Sequence, residues 1–301
     1  MSIISLFGAL EVGLIYGLVA LGVLISFRIL NFPDLTADGS FPLGGAVCAV
    51  SIIAGVNPWL ATLFGTLAGA AAGFVTAWLH VSLKIMQLLA SILVMIALYS
   101  VNLRIMGAPN LPLIWEPTVI TPFINEDYSN QFWVKPLIIL LFVIAGKLLL
   151  DLFFRSRTGL ATRATGANIK MSQAQGINTN LTTYLGMMIS NALIALGGSL
   201  YVQTQGGADI SIGVGTIVIG LAAVIIGETF ITSKKMFWIT TAVILGALLY
   251  RLFIALALHS EPLQKIGVGA QDLNFITSTL VVIALVLPQI KGKFKKLRGR
   301  R

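Results

Sequence analysis

The sequence predicts an all-α, polytopic transmembrane helical bundle of about 8–10 spans with no soluble domain. Three observations carry that expectation. The 301 residues are 57% hydrophobic and 10% charged, with a mean hydropathy of +0.93, whereas a soluble domain carries about a quarter charged residues. Apolar runs near the roughly 20 residues needed to cross a bilayer recur along the chain. The loops between them sort by charge, with Lys and Arg gathered on alternate sides. The net charge of +9 does not mark a nucleic-acid surface, because seven of the 20 basic residues lie in the last eleven positions. Those seven make 291–301 a basic tail suited to anionic headgroups on the cytoplasmic side, after a membrane domain over 1–290. The single cysteine, Cys48, excludes an internal disulfide and a cysteine metal cluster.

In chain order the expected spans are 5–27, 41–56, 58–80, 85–105, 136–154, 181–203, 211–228, 236–257 and 273–289. No basic region precedes the first apolar run, so it reads as a retained span and not a cleaved signal. Span 58–80 carries Gly65, Ala68, Gly69, Ala72 and Gly73, and 181–203 carries Gly186, Ala192, Gly197 and Gly198. Small faces of this kind let helices approach closely in lipid. The loop 106–134 has four prolines with Glu116, Glu126 and Asp127 but no Lys or Arg, which suits the outer face. Lys84, the block from Arg155 to Lys170, the pair Lys234–Lys235 and the tail then fall inside. Nine spans with an external N-terminus satisfy all of them. A faint echo relates SFPLGGAVCAV, from Ser40, to SIGVGTIVIGL, from Ser211, each followed by a turn and then Trp59 or Trp238. It fits an inverted repeat.

Polar residues among the spans are the candidate site. From Arg28 to Gly45, Asn31, Asp34, Thr36, Asp38 and Ser40 crowd between two apolar segments, and Pro33 and Pro42 argue against a continuous helix. Irregular, acidic backbone at bilayer depth is tolerated only against protein or water. Two readings stay open: a turn in which Asp34 or Asp38 is an N-cap, or a broken helix whose freed polar groups line a translocation route. Glu11 joins the candidate substrate pathway, because a carboxylate in the first span should face protein; Arg28 or Arg104 could pair with it. Lys147 and Asp151, four apart, read as an ion pair. Gln203 and Gln205 beside Gly206 read as a turn, and Glu228 as a residue of the cytoplasmic end. His80 and His259 fall at opposite faces, which disfavours a His metal site.

The stretch from Arg155 to Asn180, RSRTGLATRATGANIKMSQAQGINTN, is basic without one acid and so belongs inside. It reads as two short helices bent at Gly166, with Asn168 capping the second and Gly176 ending it. Gly159, Ala161, Arg163, Ala164, Gly166, Asn168, Ala174, Gly176, Ile177 and Asn178 resemble the cytoplasmic coupling segment of ATP-binding-cassette importer permeases of the branched-chain amino acid and ribose type. Leu30–Asn31–Phe32 and Gly44–Gly45–Ala46 are similar to that family's first-half signature, from which Pro33–Asp34 departs. Gly220, Ala222, Ala223, Val224 and Gly227 are similar to its second half. The string FRILNFPDLTADGSFPLGGA looks closer to the branch paired with tryptophan/tyrosine-type binding proteins.

The resemblance implies a permease subunit of the bacterial cytoplasmic (inner) membrane that needs no cofactor. It would dock on an ABC ATPase through Gly159, Ala161, Arg163, Gly166, Asn168 and Gly176. It would receive a small solute from a substrate-binding protein, and pair with a second copy as a homodimer in the lipid bilayer, with its C-terminus cytoplasmic. The branch resemblance favours an aromatic amino acid, and a branched-chain or other small amino acid, a small peptide or a nucleoside stay open. Enzyme chemistry is not expected. The nearest approach to a phosphate loop, around Gly146 and Lys147, has Leu141 and Leu148 where glycine and Ser/Thr belong, so ATP would be hydrolysed by a separate chain. The competing expectation is an ion-coupled secondary transporter that uses Glu11, Asp34 and Asp38 as ion ligands.

Overall fold

The computed structural model describes residues 3–123, 133–233, 235–258, 279 and 282. Seven helices among these residues are long and apolar enough to cross a membrane. The expected span 273–289, the tail, Lys234 and His259 lie outside the described residues.

Helix α1 (Ile3–Val23) continues without a break as a π-helical segment, Leu24–Ile29. Every residue from Glu11 to Val23 is buried, as expected of a helix apolar all round. It forms the axis against which α5 (Val134–Arg155), α8 (Thr179–Gln205), α9 (Thr216–Phe230) and α10 (Met236–Leu258) pack. A second layer joins α8 to α2 (Ala37–Ile53) and α3 (Pro58–Val81), with α4 (Gln87–Met106) packed on α2 and α3. The small residues decide its closest contact. A Cβ at Gly65, Gly69 or Gly73 of α3 would overlap atoms of Gly44, Ser199, Ala195, Asn191 or Met187, so α3 lies nearly flush on α8.

Two elements differ from the sequence expectation. α2 is 17 residues long, begins before the expected span, and has Pro42 inside it. Proline removes the bond to the carbonyl four residues back, here that of Asp38. Gly213 sits flush against that carbonyl and the Pro42 ring, where a Cβ would overlap both. Protein packing therefore takes up the defect and the helix persists. The expected span 211–228 is matched by Ile210–Phe230, but it is not one regular helix: a 3-10 turn, Ile210–Gly213, leads to Gly215 at φ +82 and then to α9. The all-α expectation also gains two short strands, β1 (Asn110–Pro112) and β2 (Gly207–Asp209), paired antiparallel with Leu111 opposite Ala208.

The helix ends gather on two faces. One carries the turns after α3 and α9 together with the short helices α6 (Arg157–Ala167) and α7 (Ile169–Ala174); it is called the elbow face below. The far face carries the turn after α2, the β1–β2 pair and the 121–123 turn.

Candidate functional site

The chain from Asn31 to Ser40 rises inside the bundle from the elbow face. Asn31 turns it with a positive φ of 53, and the Phe32 ring meets the His80 ring edge-on at 5.3 Å. Asp34 is fully buried. One carboxylate oxygen accepts from the Thr36 N–H at 3.0 Å and the other from the Asn191 amide at 2.8 Å. Ser40 donates to the Asn191 carbonyl oxygen at 2.7 Å, and the Thr36 and Thr76 hydroxyls share a bond of 2.7 Å. The segment is thus held by α3 and α8, and Asn191 is its hub.

Asp38 lies in the first turn of α2 yet caps a different helix. Its two oxygens accept from the N–H groups of Gly215 and Ile217 at 3.2 and 2.8 Å, placing a negative charge at the positive end of α9. Ile217 lies about 16 Å along α9 from Glu228, and Glu228 pairs with Arg28 at the elbow face at 2.7 Å. Asp38, half-buried, therefore sits deep within the bundle. From this meeting point α2 runs to the far face and α9 to the elbow face, so the two echoing segments start against each other and leave in opposite directions.

Asn31, Asp34, Thr36, Asp38 and Ser40 are brought together; Glu11 is not. It lies about 25 Å along α1 from Arg28, too far for that pairing, and accepts from Gln205 at 3.5 Å instead. Lys147 and Asp151 pair at 2.6 Å, with Thr240 donating to Asp151 and the Phe237 ring 3.6 Å from the ammonium. Gln203 is not part of a turn. Its amide donates to Thr62 at 2.7 Å and Cys48 at 3.2 Å and accepts from the Val119 N–H at 2.9 Å, tying α2, α3 and α8 to the far-face loop. Asn191, Ser199 and Gln203 fall at multiples of four on one face of α8. That spacing was the signal for the two residues the sequence reading did not single out.

The elbow comprises α6 and α7. Ser156 accepts from the Gly159 N–H at 3.2 Å to start α6, and Asn168 accepts from the Met171 N–H at 3.0 Å to start α7. Gly176 ends α7 at φ +76. Gly166 does not make the bend; it is helical, and the break falls at Asn168, whose φ of −161 and ψ of 103 are extended. What requires glycine at 166 is contact: a Cβ there would overlap the Ile29 carbonyl. Gly159 likewise fits under the Phe153 carbonyl. Gly159, Thr162 and Thr165 face inward and Ala161 is half-buried, while Leu160, Arg163, Ile169, Lys170 and Met171 face out.

A bundle of membrane-length helices around a buried, broken polar segment, with a basic elbow projecting from one end, defines a membrane permease. The family described as "Branched-chain amino acid transport system / permease component" matches residues 5–287, and this chain belongs to it. The chain is 38% identical over 288 residues to the tyrosine transport system permease protein of Clostridioides difficile, covering 95% of this chain and 92% of that one. It is 27% identical over 252 residues to the nucleoside ABC transporter permease protein NupC of Lactococcus lactis, covering 77% and 74%. The fold is shared with PsaBC from Streptococcus pneumoniae, at a TM-score of 0.53 and 14% identity over 93% of this chain and 89% of that one. The protein is therefore the multi-pass permease subunit of an ATP-binding-cassette importer and not an ion-coupled transporter or an enzyme. Such a subunit works with a separate ATPase chain and a binding protein.

Proposed function

We propose that this permease carries an aromatic amino acid inward, that the elbow is its grip on the ATPase, and that the path runs past the Asn31–Ser40 segment between two copies of the chain. The identity to the tyrosine permease over nearly the whole length supports the solute. The observation that carries the mechanism is the contact of Gly166 with Ile29: the elbow abuts the residues that lead into the buried segment. Movement imposed on α6 then reaches Ile29 and Asn31, and through Asp34 and Asp38 the starts of α2 and α9. The π-helical turn before Ile29 is a place where such movement is readily absorbed.

Asp38 supports the second copy. A half-buried carboxylate at that depth is costly against lipid; beside it Val214 is 77% exposed. A second permease covers this face and makes the gap between the copies the path. With the elbow on the cytoplasmic side the basic tail is cytoplasmic too. The far face offers Ile114 and Trp115, the latter 94% exposed, to the binding protein.

The test is copurification with the ATPase followed by reconstitution in proteoliposomes with the binding protein and labelled tyrosine. The expected result is uptake that requires ATP. Uptake that continues without ATP and stops with an ionophore would overturn the proposal.

A further inference from the structure

On the elbow face a cavity of about 350 Å³ opens between the π-helical end of α1, helix α6 and the turn from α9 to α10. It is separate from the Asn31–Ser40 segment. Its charged rim is the Arg28–Glu228 pair and Arg163; Ile29, Ile231 and Met236 are among the apolar residues of its wall. The paired side chains are 65% and 36% exposed. An ion pair that open does not face hydrocarbon, so the mouth gives onto water beyond the elbow. Arg163 forms no ion pair among the described residues.

Cations, a carboxylate and an apolar wall in one small cavity fit a ligand with both signs of charge and an apolar group. The volume lies at the lower end of small-molecule sites, about 300–1,000 Å³. We propose that the cavity is a regulatory site for a free α-amino acid on the elbow side. Arg163 and the unused N–H groups of Arg28 donate to the ligand's α-carboxylate. The second oxygen of Glu228 accepts from its ammonium, and its side chain lies on the apolar wall. A ligand held this way bridges α6 to α1 and α9, so its occupation restrains the element proposed to move with the ATPase. The inference rests on the amino-acid and elbow readings above and adds a second site that senses the transported product.

The test uses the permease–ATPase complex in nanodiscs without binding protein. Its probes are L-tyrosine, tyramine, which lacks the carboxylate, and 3-(4-hydroxyphenyl)propionate, which lacks the ammonium. L-Tyrosine should bind saturably by calorimetry and lower the ATPase rate several-fold, and each truncated analogue should bind about tenfold more weakly. Glu228→Gln should weaken binding by a similar factor while ATP-driven uptake into empty proteoliposomes supplied with the binding protein is unchanged. Ile239 also lines the apolar wall, and Ile239→Trp, filling it, should abolish binding in a complex that still retains its ATPase. Equal binding of tyramine, indifference to both variants, or no binding by a complex that transports tyrosine overturns the inference and leaves the importer reading standing. A complex without ATP-driven tyrosine uptake overturns both.

Discussion

Asn191 serves three partners at once: it donates to Asp34 at 2.8 Å and to the Met187 carbonyl at 3.1 Å, and it accepts from Ser40 at 2.7 Å. Asp34 has no solvent to replace the bond, so truncation leaves a buried carboxylate short of a donor. Asn191→Ala should cost on the order of 3 kcal/mol, read as a lowered unfolding temperature in detergent. Ser40→Ala, which keeps the Asn191–Asp34 bond, should cost about 1 kcal/mol. Equal effects of the two would remove Asn191 as the hub. The sequence marks Asp34 as a residue needing protein around it, since acids at bilayer depth must be satisfied. It does not reveal the partner 157 residues away, because nothing local fixes how α8 is rotated against α2. Gln203 shows the opposite failure. The following Gly206 suggested a turn, yet the four-residue spacing back to Ser199 and Asn191 was a buried polar stripe in plain view.

The elbow separates two kinds of residue that the sequence presents as one motif. Gly159 and Gly166 are fixed by the close approach of backbone, whereas Arg163 points out beside exposed Leu160. Substitutions should part accordingly. Arg163→Glu should reduce ATPase copurification more than tenfold with the unfolding temperature of the permease unchanged. Gly166→Val should lower that temperature as well, because α6 must leave Ile29. If both variants behave alike in both measurements, the division is wrong. The capping residues Asn168 and Gly176 were legible because caps are local chemistry. The role of Gly166 was not, since its partner Ile29 lies on another helix and a mid-helix glycine resembles a breaker.

At the scale of the whole molecule the question is which face is covered by protein and which by lipid. α3 and α4 both expose large apolar residues, but α4 also presents Ser100 and Arg104, four apart, on its outward side, and packs through Leu98 against Gly39, next to Asp38. A polar pair of this kind in a membrane helix belongs against protein, whereas the outward face of α3, with Leu63 and Leu67 exposed, suits lipid. The proposed second copy would therefore lie against α4. Cys48 is buried, so a cysteine introduced at the surface is the only one a membrane-permeant crosslinker should find. Ser100→Cys is expected to give a band at twice the monomer mass in native membranes, and Leu67→Cys is not. The Ser100→Cys band should also strengthen or fade when nucleotide is added with the ATPase, since the gap between copies is the proposed path and must change width during transport. A band from Leu67→Cys without one from Ser100→Cys would move the interface to α3 and leave Asp38 facing something other than the path.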